Sequence, residues 1–413
     1  MRILLIHDFY QRFGGEDAVA LAERQLLDDH GNETILYTRH NDEIRNYGLR
    51  DKMAFFPEAV YSLRSRREIE ALVGARTPDV AYIFNVFPLI SPSVYHTLHA
   101  LGIPIIQGLH DFRLLCANGL LFTRGEICER CKYGNFLHAV QYRCHRDSYV
   151  LSALYGGSIA LNRFMGWAEK TSAWICLTGF AESKLLDIGI PQEKIFIRPN
   201  FIDSSLIVPA ERVGTYVIFL GRLSHEKGIW TLVRAFEQLK GIELKLVGTG
   251  PLENAIRSYV SQRNLQNIRL VGFKSGEEKW ELLRNSLFVV VPSECYEMFP
   301  IAVLEAYVAG KPVVASDIGG LPYVVRDGKG GMLFRPGSVS DLIEKVRHLA
   351  ESPAEIEAMG RYGRQLVETE YGPERAYDSL TAIFSAACGA GQAPKDNSGG
   401  QRQPDSLPSI PTG

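Results

Sequence analysis

The feature that most restricts this chain is a recurring alternation of short apolar runs with helical stretches. RILLIH (2–7), ETILYTR (33–39), DVAYIFNV (79–86), PIIQGLHD (104–111), WICLTG (174–179) and KIFIRPN (194–200) form one series. Between the first two lies DAVALAERQLLDDHG, which has helical apolar spacing and Gly31 as its stop. The alternation then restarts with YVIFLG (216–221), ELKLVGTG (243–250), IRLVGF (268–273), LFVVVPS (287–293) and PVVAS (312–316). Strands alternating with helices imply parallel, doubly wound sheets. The expected class is therefore α/β, with two doubly wound parallel-sheet domains facing a cleft. FIDSSLIVPAERVG (201–214) has little periodicity and reads as the linker between them. Domain boundaries follow at 1–200 and 215–370. A last helix over 371–388 is expected to return to the first domain, and a Gly-, Pro- and Ser-rich tail over 389–413 to be disordered.

A chain of 413 residues, 46% hydrophobic, can bury two such cores. Its net charge of -2 and lack of a basic tract argue against a nucleic-acid partner. No apolar run reaches membrane-spanning length, and MRILLIHDF reads as a first strand rather than a signal peptide. A cytoplasmic protein is expected, with peripheral association at the inner membrane face left open. Seven cysteines in this length are not a disulfide scaffold.

Two acids stand in a segment that otherwise reads as core. In SECYEMFPIAVLEAYVAGKPVVAS, Glu297 precedes a helix and Glu305 is that helix's sole charge. A buried carboxylate needs a donor or costs several kcal/mol. Glu297 follows the carboxyl end of strand 287–293, where doubly wound sheets bind ligands. The amides of Met298, Phe299 and Ile301 lie at a positive helix start. Hydroxyl acceptors beside an amide cluster suit a sugar attached to a phosphate. Local ion pairing of Glu305 and simple solvation of Glu297 account equally well for the spacing alone.

GRLSHEKG (221–228) places Arg222 and Lys227 at the end of strand 216–221, before the next helix. Two cations there suit a diphosphate; solvated surface charges are the alternative. Gly14 and Gly15 precede the first helix, where adjacent glycines allow close approach of a ligand. The pattern is not GxGxxG, so a dinucleotide is not indicated.

Together these stretches resemble the retaining glycosyltransferases of family 4, of GT-B architecture, in the group of glycogen synthases and mannosyltransferases. The likeness covers about residues 1–388. Its most specific part is Glu297-x7-Glu305, with GRLSHEKG as the donor loop and FGGED as the N-terminal glycine loop. The resemblance implies a nucleotide-diphosphate sugar donor, a saccharide or lipid-linked acceptor, and retention of anomeric configuration. It implies that Arg222 and Lys227 hold the diphosphate, that Glu305 takes the ribose hydroxyls and that Glu297 contacts the transferred sugar. Amides of Met298 and Phe299 would reach sugar or phosphate, Gly14 and Gly15 would approach the diphosphate, and His110 would lie near the donor sugar. Pro300, in EMFP, departs from the family pattern and removes one N–H donor. No metal is expected for catalysis, because no Asp-x-Asp follows a strand. A nucleotide-sugar epimerase of the same fold, or a non-catalytic member acting as an interaction module, are the alternatives.

An insertion over 112–146 carries Cys116, Cys128, Cys131 and Cys144. Cys128-x2-Cys131 has chelating spacing, and four thiolates could close a structural zinc site. His138 and His145 are spare ligands, and free buried thiols are the alternative. Cys176, Cys295 and Cys388 stand apart. The acceptor is expected on the first domain, between the glycine loop and this insertion.

Overall fold

Strands buried on both faces must be apolar throughout, and the Val-, Ile- and Leu-rich runs satisfy this. The computed structural model describes residues 1–11, 14–209 and 213–390. Its strands are β1 (Arg2–Phe9), β2 (Glu33–His40), β3 (Val80–Ile83), β4 (Ile105–Leu109), β5 (Phe122–Thr123), β6 (Glu126–Ile127), β7 (Ala173–Cys176) and β8 (Ile195–Ile197). The second half adds β9 (Tyr216–Leu220), β10 (Glu243–Val247), β11 (Ile268–Gly272), β12 (Ser286–Val291), β13 (Val313–Ser316) and β14 (Gly331–Phe334).

Two six-stranded sheets result, in the orders β2-β1-β3-β4-β7-β8 and β11-β10-β9-β12-β13-β14. Every pairing within them is parallel, with Leu4 opposite Ile35 and Ile218 opposite Val289 as examples of the register. Both orders reverse direction once, beside β1 in the first sheet and beside β9 in the second. Ligands of doubly wound sheets bind outside the strand ends at such reversals.

Several elements are shorter than the apolar runs suggest. The run 79–86 keeps only Val80–Ile83 in the sheet. Beyond it the Asp8 amide donates to the Asn85 carbonyl (2.8 Å) and Asn85 Nδ2 to the Asp8 carbonyl (2.8 Å). Backbone groups there are satisfied outside the ladder. β14 has no counterpart in the sequence expectations. It is held by its pairing with β13, a contact between distant residues.

The insertion is largely core rather than an open surface. Phe112, Leu114, Leu115, Leu121 and Phe136 are buried, and the β5–β6 hairpin is two residues deep. Helix Pro373–Ala390 lays Leu380, Ile383 and Phe384 against Ile3, Leu5 and Tyr82 of the first sheet. Arg198, 2% exposed, pairs with the buried Glu23 and donates from Nε to the Ala376 carbonyl (3.1 Å). The expected tail lies outside the described residues from 391 onward, and helix occupies 389–390.

Candidate functional site

At the second sheet's reversal, the loop after β9 and the loop after β12 interlock. The Glu226 carbonyl accepts the amides of Glu294 (2.9 Å) and Cys295 (3.3 Å). Thr231 Oγ1 donates to Glu294 Oε1 (2.6 Å). Gly228 makes this approach feasible. Its φ is +64°, and a Cβ there would stand 1.8 Å from the Pro292 carbonyl oxygen. Gly320 does the same from the other side, where a Cβ would lie 2.1 Å from the Met298 carbonyl oxygen.

This scaffold brings the expected charges together in pairs. Lys227 Nζ donates to Glu297 Oε1 at 2.5 Å, and Ser293 Oγ reaches the same oxygen. Burial disfavours the Lys227 charge, but Glu297 overcomes this and holds its pKa above the ordinary lysine value. Glu305, one turn into helix Ile301–Val308, accepts from Lys279 Nζ at 2.6 Å. Lys279 comes from helix Gly276–Arg284 and also lies over the Trp280 ring, 4.4 Å from its centroid. Arg222 is exposed and forms no ion pair among the described residues. It is the cation most open to an incoming anion. Met298 and Phe299 are buried, so only their backbone can face a ligand. Pro300 is the N-cap of helix Ile301–Val308.

The first domain supplies the other wall. Gly14 donates from its amide to Asp17 Oδ2 (2.9 Å), and helix Gly15–Asp29 starts at Gly15. A Cβ on Gly15 would meet open space, which leaves room for a ligand. His110 follows β4 and stacks on Phe84, with ring centroids 5.4 Å apart. Its Nε2 is shut off from solvent and has no hydrogen-bond partner among the described residues. Burial, with Arg198 and His7 nearby, lowers its pKa to about 3, so the ring is neutral at ordinary pH. Glu16, Asp111 and Arg113 line the same cavity, whose volume of about 10 Å³ holds about one water. Burial and the adjacent Asp111 raise Glu16 to about 8, which keeps it protonated at neutral pH. Tyr10 donates to Glu16 Oε2 at 2.6 Å.

The two walls touch through Tyr296, the neighbour of Glu297. Its ring lies 4.7 Å from that of Phe180 and 6.3 Å from that of Phe112, two residues beyond His110. Asn200 Nδ2 donates to the Phe299 carbonyl (3.2 Å). A larger hollow, about 430 Å³, is lined by Tyr216, Lys245, Lys274 and Glu278 and by none of the expected donor residues. Arg222, Lys227 and Glu297 instead follow the carboxyl ends of β9 and β12.

Sequence reasoning missed Lys279, Ser293, Glu16 and Asp111. Lys279 lies 26 positions from Glu305, and no local pattern links them. The four cysteines of the insertion are free thiols. Burial pushes Cys131 up to about 12, with smaller contributions from Cys116, Cys144 and Cys128. Cys116 Sγ donates to Asn118 Oδ1 (3.0 Å), and Cys144 Sγ lies 3.8 Å from Thr123 Oγ1. Among the described residues no group of three or more His, Cys, Asp or Glu is arranged to hold a metal ion. Cys131 nonetheless lies near Cys116, Cys144 and Cys128, and the four thiols expected to hold zinc are neighbours in the fold.

Two parallel six-stranded sheets, each with its reversal turned to charged loops, form the GT-B arrangement. The comparisons then fix the family. Residues 210–366 match the model for glycosyl transferases group 1. A glycosyltransferase of Methanocaldococcus jannaschii is 33% identical over 287 residues, spanning 69% of this chain and 75% of that protein. Glycogen synthase of Mycobacterium tuberculosis is 31% identical over 176 residues, spanning 41% of this chain and 42% of that protein. The chain belongs to the group 1 glycosyltransferases. In fold it is similar to sucrose-phosphate synthase from Thermosynechococcus elongatus, with a TM-score of 0.70, 18% identity and coverage of 94% and 99%. Anabaena HepE, solved with UDP, superposes with a TM-score of 0.67 and 16% identity over 94% and 100% of the two chains.

Proposed function

We propose that this chain moves a sugar from a nucleoside-diphosphate donor to a saccharide or lipid-linked acceptor, with retention at the anomeric carbon. The donor lies along the carboxyl edge of the second sheet. The observation that carries this reading is the pairing of Glu297 with Lys227 and of Glu305 with Lys279, beside the unpaired Arg222.

Cleaving a sugar–phosphate bond leaves positive charge on the ring and negative charge on the departing diphosphate. Arg222 offers a planar fork to phosphate oxygens and Lys227 a compact charge. Fixed cations of this kind stabilise the leaving group as charge develops, without reorganisation. Glu305 presents a carboxylate to the ribose hydroxyls. Glu297 is anchored by Lys227 and Ser293, which suits holding a sugar hydroxyl better than attacking carbon. The acceptor enters from the first domain, on the same face of the sugar as the leaving group. A departing phosphate oxygen takes its proton. His110, neutral and half-buried, acts as a hydrogen-bonding wall beside the sugar rather than as an acid.

The acceptor's oxygen and the donor's anomeric carbon form the new bond, and the bond from that carbon to the phosphate oxygen breaks. An epimerase would instead release an altered sugar without an acceptor. Proton NMR of the product from an α-configured donor tests the reading: an α-linked product is expected, and a β-linked product overturns retention. Free epimerised sugar formed with no acceptor present would favour the other reaction.

A further inference from the structure

Helix Tyr149–Phe164 is apolar on the side it should not be. Its inward positions, Leu154, Tyr155 and Ile159 among them, are buried. Its outward positions are Tyr149, Val150, Ala153, Gly157, Leu161 and Phe164, and none carries a charge. At 100° per residue these six fall within one arc of about 120°. Phe164 is 89% exposed, and Tyr149 and Val150 are each 59% exposed. A helix that is hydrophobic all round is normally buried. This one is covered only on its inner side, where Ser158 and Asn162 bond to the Ala59 and Val60 carbonyls of helix Leu49–Val60.

The surroundings extend the patch. Leu137 and Tyr133, each 76% exposed, precede the helix, and Met53, 70% exposed, lies on helix Leu49–Val60. The charge here is the reverse of the chain's. Residues 124–170 hold seven Lys and Arg against four Asp and Glu, whereas the whole chain holds 45 against 47. Arg143 packs its guanidinium over Tyr149 (5.4 Å), and Arg124 and Arg130 cover Tyr142 (4.8 and 4.6 Å). Aromatic and aliphatic side chains ringed by arginine fit the boundary between lipid headgroups and acyl chains. A second copy of this positive face would repel it; an acidic lipid surface would attract it.

We infer that the outward face of helix Tyr149–Phe164 docks this protein on membranes of acidic phospholipid. The helix lies in the plane of the interface with Leu161 and Phe164 inserted and the arginines among the headgroups. Among the described residues no helix is long and apolar enough to cross a membrane, so attachment is peripheral.

Flotation of the full chain with lipid vesicles tests this. Phosphatidylcholine vesicles containing phosphatidylglycerol should carry the protein up, pure phosphatidylcholine should not, and high salt should release it. Phe164→Glu and Leu161→Glu, each shown to fold by circular dichroism and thermal unfolding, should each weaken binding at least ~tenfold, while Val208→Glu, on a distant exposed residue, should not. Equal binding of wild type and both variants overturns the inference, as does failure of wild type to bind. So does a wild-type dimer in sedimentation velocity that Phe164→Glu dissociates, because the face would then be covered by a second copy.

Discussion

Glu297 and Glu305 each meet a lysine, and the two pairs differ in what sequence could show. Lys227 stands in a loop already marked by Arg222; Lys279 lies on a helix whose face cannot be aligned with Glu305 without the fold. Removing either acid's charge should cost about 2–4 kcal/mol of transition-state stabilisation. Glu305→Gln should thus lower kcat/KM about 30-fold or more, with the unfolding midpoint unchanged. Lys279→Met should chiefly raise donor KM by loosening Glu305, and Lys279→Arg should restore most of the loss. If Lys279→Met alters only stability, its bond to Glu305 is structural.

Two half-buried groups give stability opposite pH slopes. His110, with a folded pKa of about 3, refuses a proton that the unfolded chain takes near 6.5. Stability therefore falls as pH drops through that window. Glu16, at about 8, keeps a proton that the unfolded chain releases near 4.5, so its contribution is lost as pH rises from 4.5 to 8. Urea unfolding across this range should show His110→Gln losing less stability than wild type on acidification, and Glu16→Gln losing less on alkalinisation. Parallel curves for all three proteins would contradict these assignments.

At the scale of elements, the strands were the legible part, because a parallel strand covered on both faces must be a run of Val, Ile and Leu. Their ends were not. The run 79–86 leaves the sheet at Phe84, where Asn85 and Asp8 bond to each other's backbone. Helix Tyr149–Phe164 escaped notice because its apolar residues surround it and erase the usual one-sided stripe. The glycines at 319 and 320 stood in plain view after β13, yet only the fold shows that they admit the backbone of Glu297 and Met298. Gly320→Ala should therefore disturb the acid loop, costing about 1–3 kcal/mol of stability by overpacking and weakening donor binding. Calorimetric unfolding with and without donor measures both effects. A fully stable, fully active variant would show that the loop does not depend on this contact.

For the whole molecule, the two sheets are joined by side chains rather than by the linker alone. One apolar cluster runs from β1 through Phe112 to Met298 and Phe299. The last helix covers the first sheet, and Arg198 ties it to Glu23. Arg198→Met would leave Glu23 buried without its partner and should destabilise the chain by about 3–5 kcal/mol. Denaturant unfolding would show this, and a change below 1 kcal/mol would contradict it. Division of labour between the sheets is the larger claim: the second holds the donor, the first meets the acceptor. Ligands that bind only the folded state raise its stability, by about 2.7 kcal/mol at a hundredfold excess over Kd. The most direct measurement is thermal unfolding of wild type, Arg222→Ala and Glu305→Gln against a panel of nucleoside diphosphates and their sugars. At least one nucleotide should raise the wild-type midpoint, and both variants, folded but unprotected, should lose that shift. A shift that persists undiminished in both variants would place the donor elsewhere.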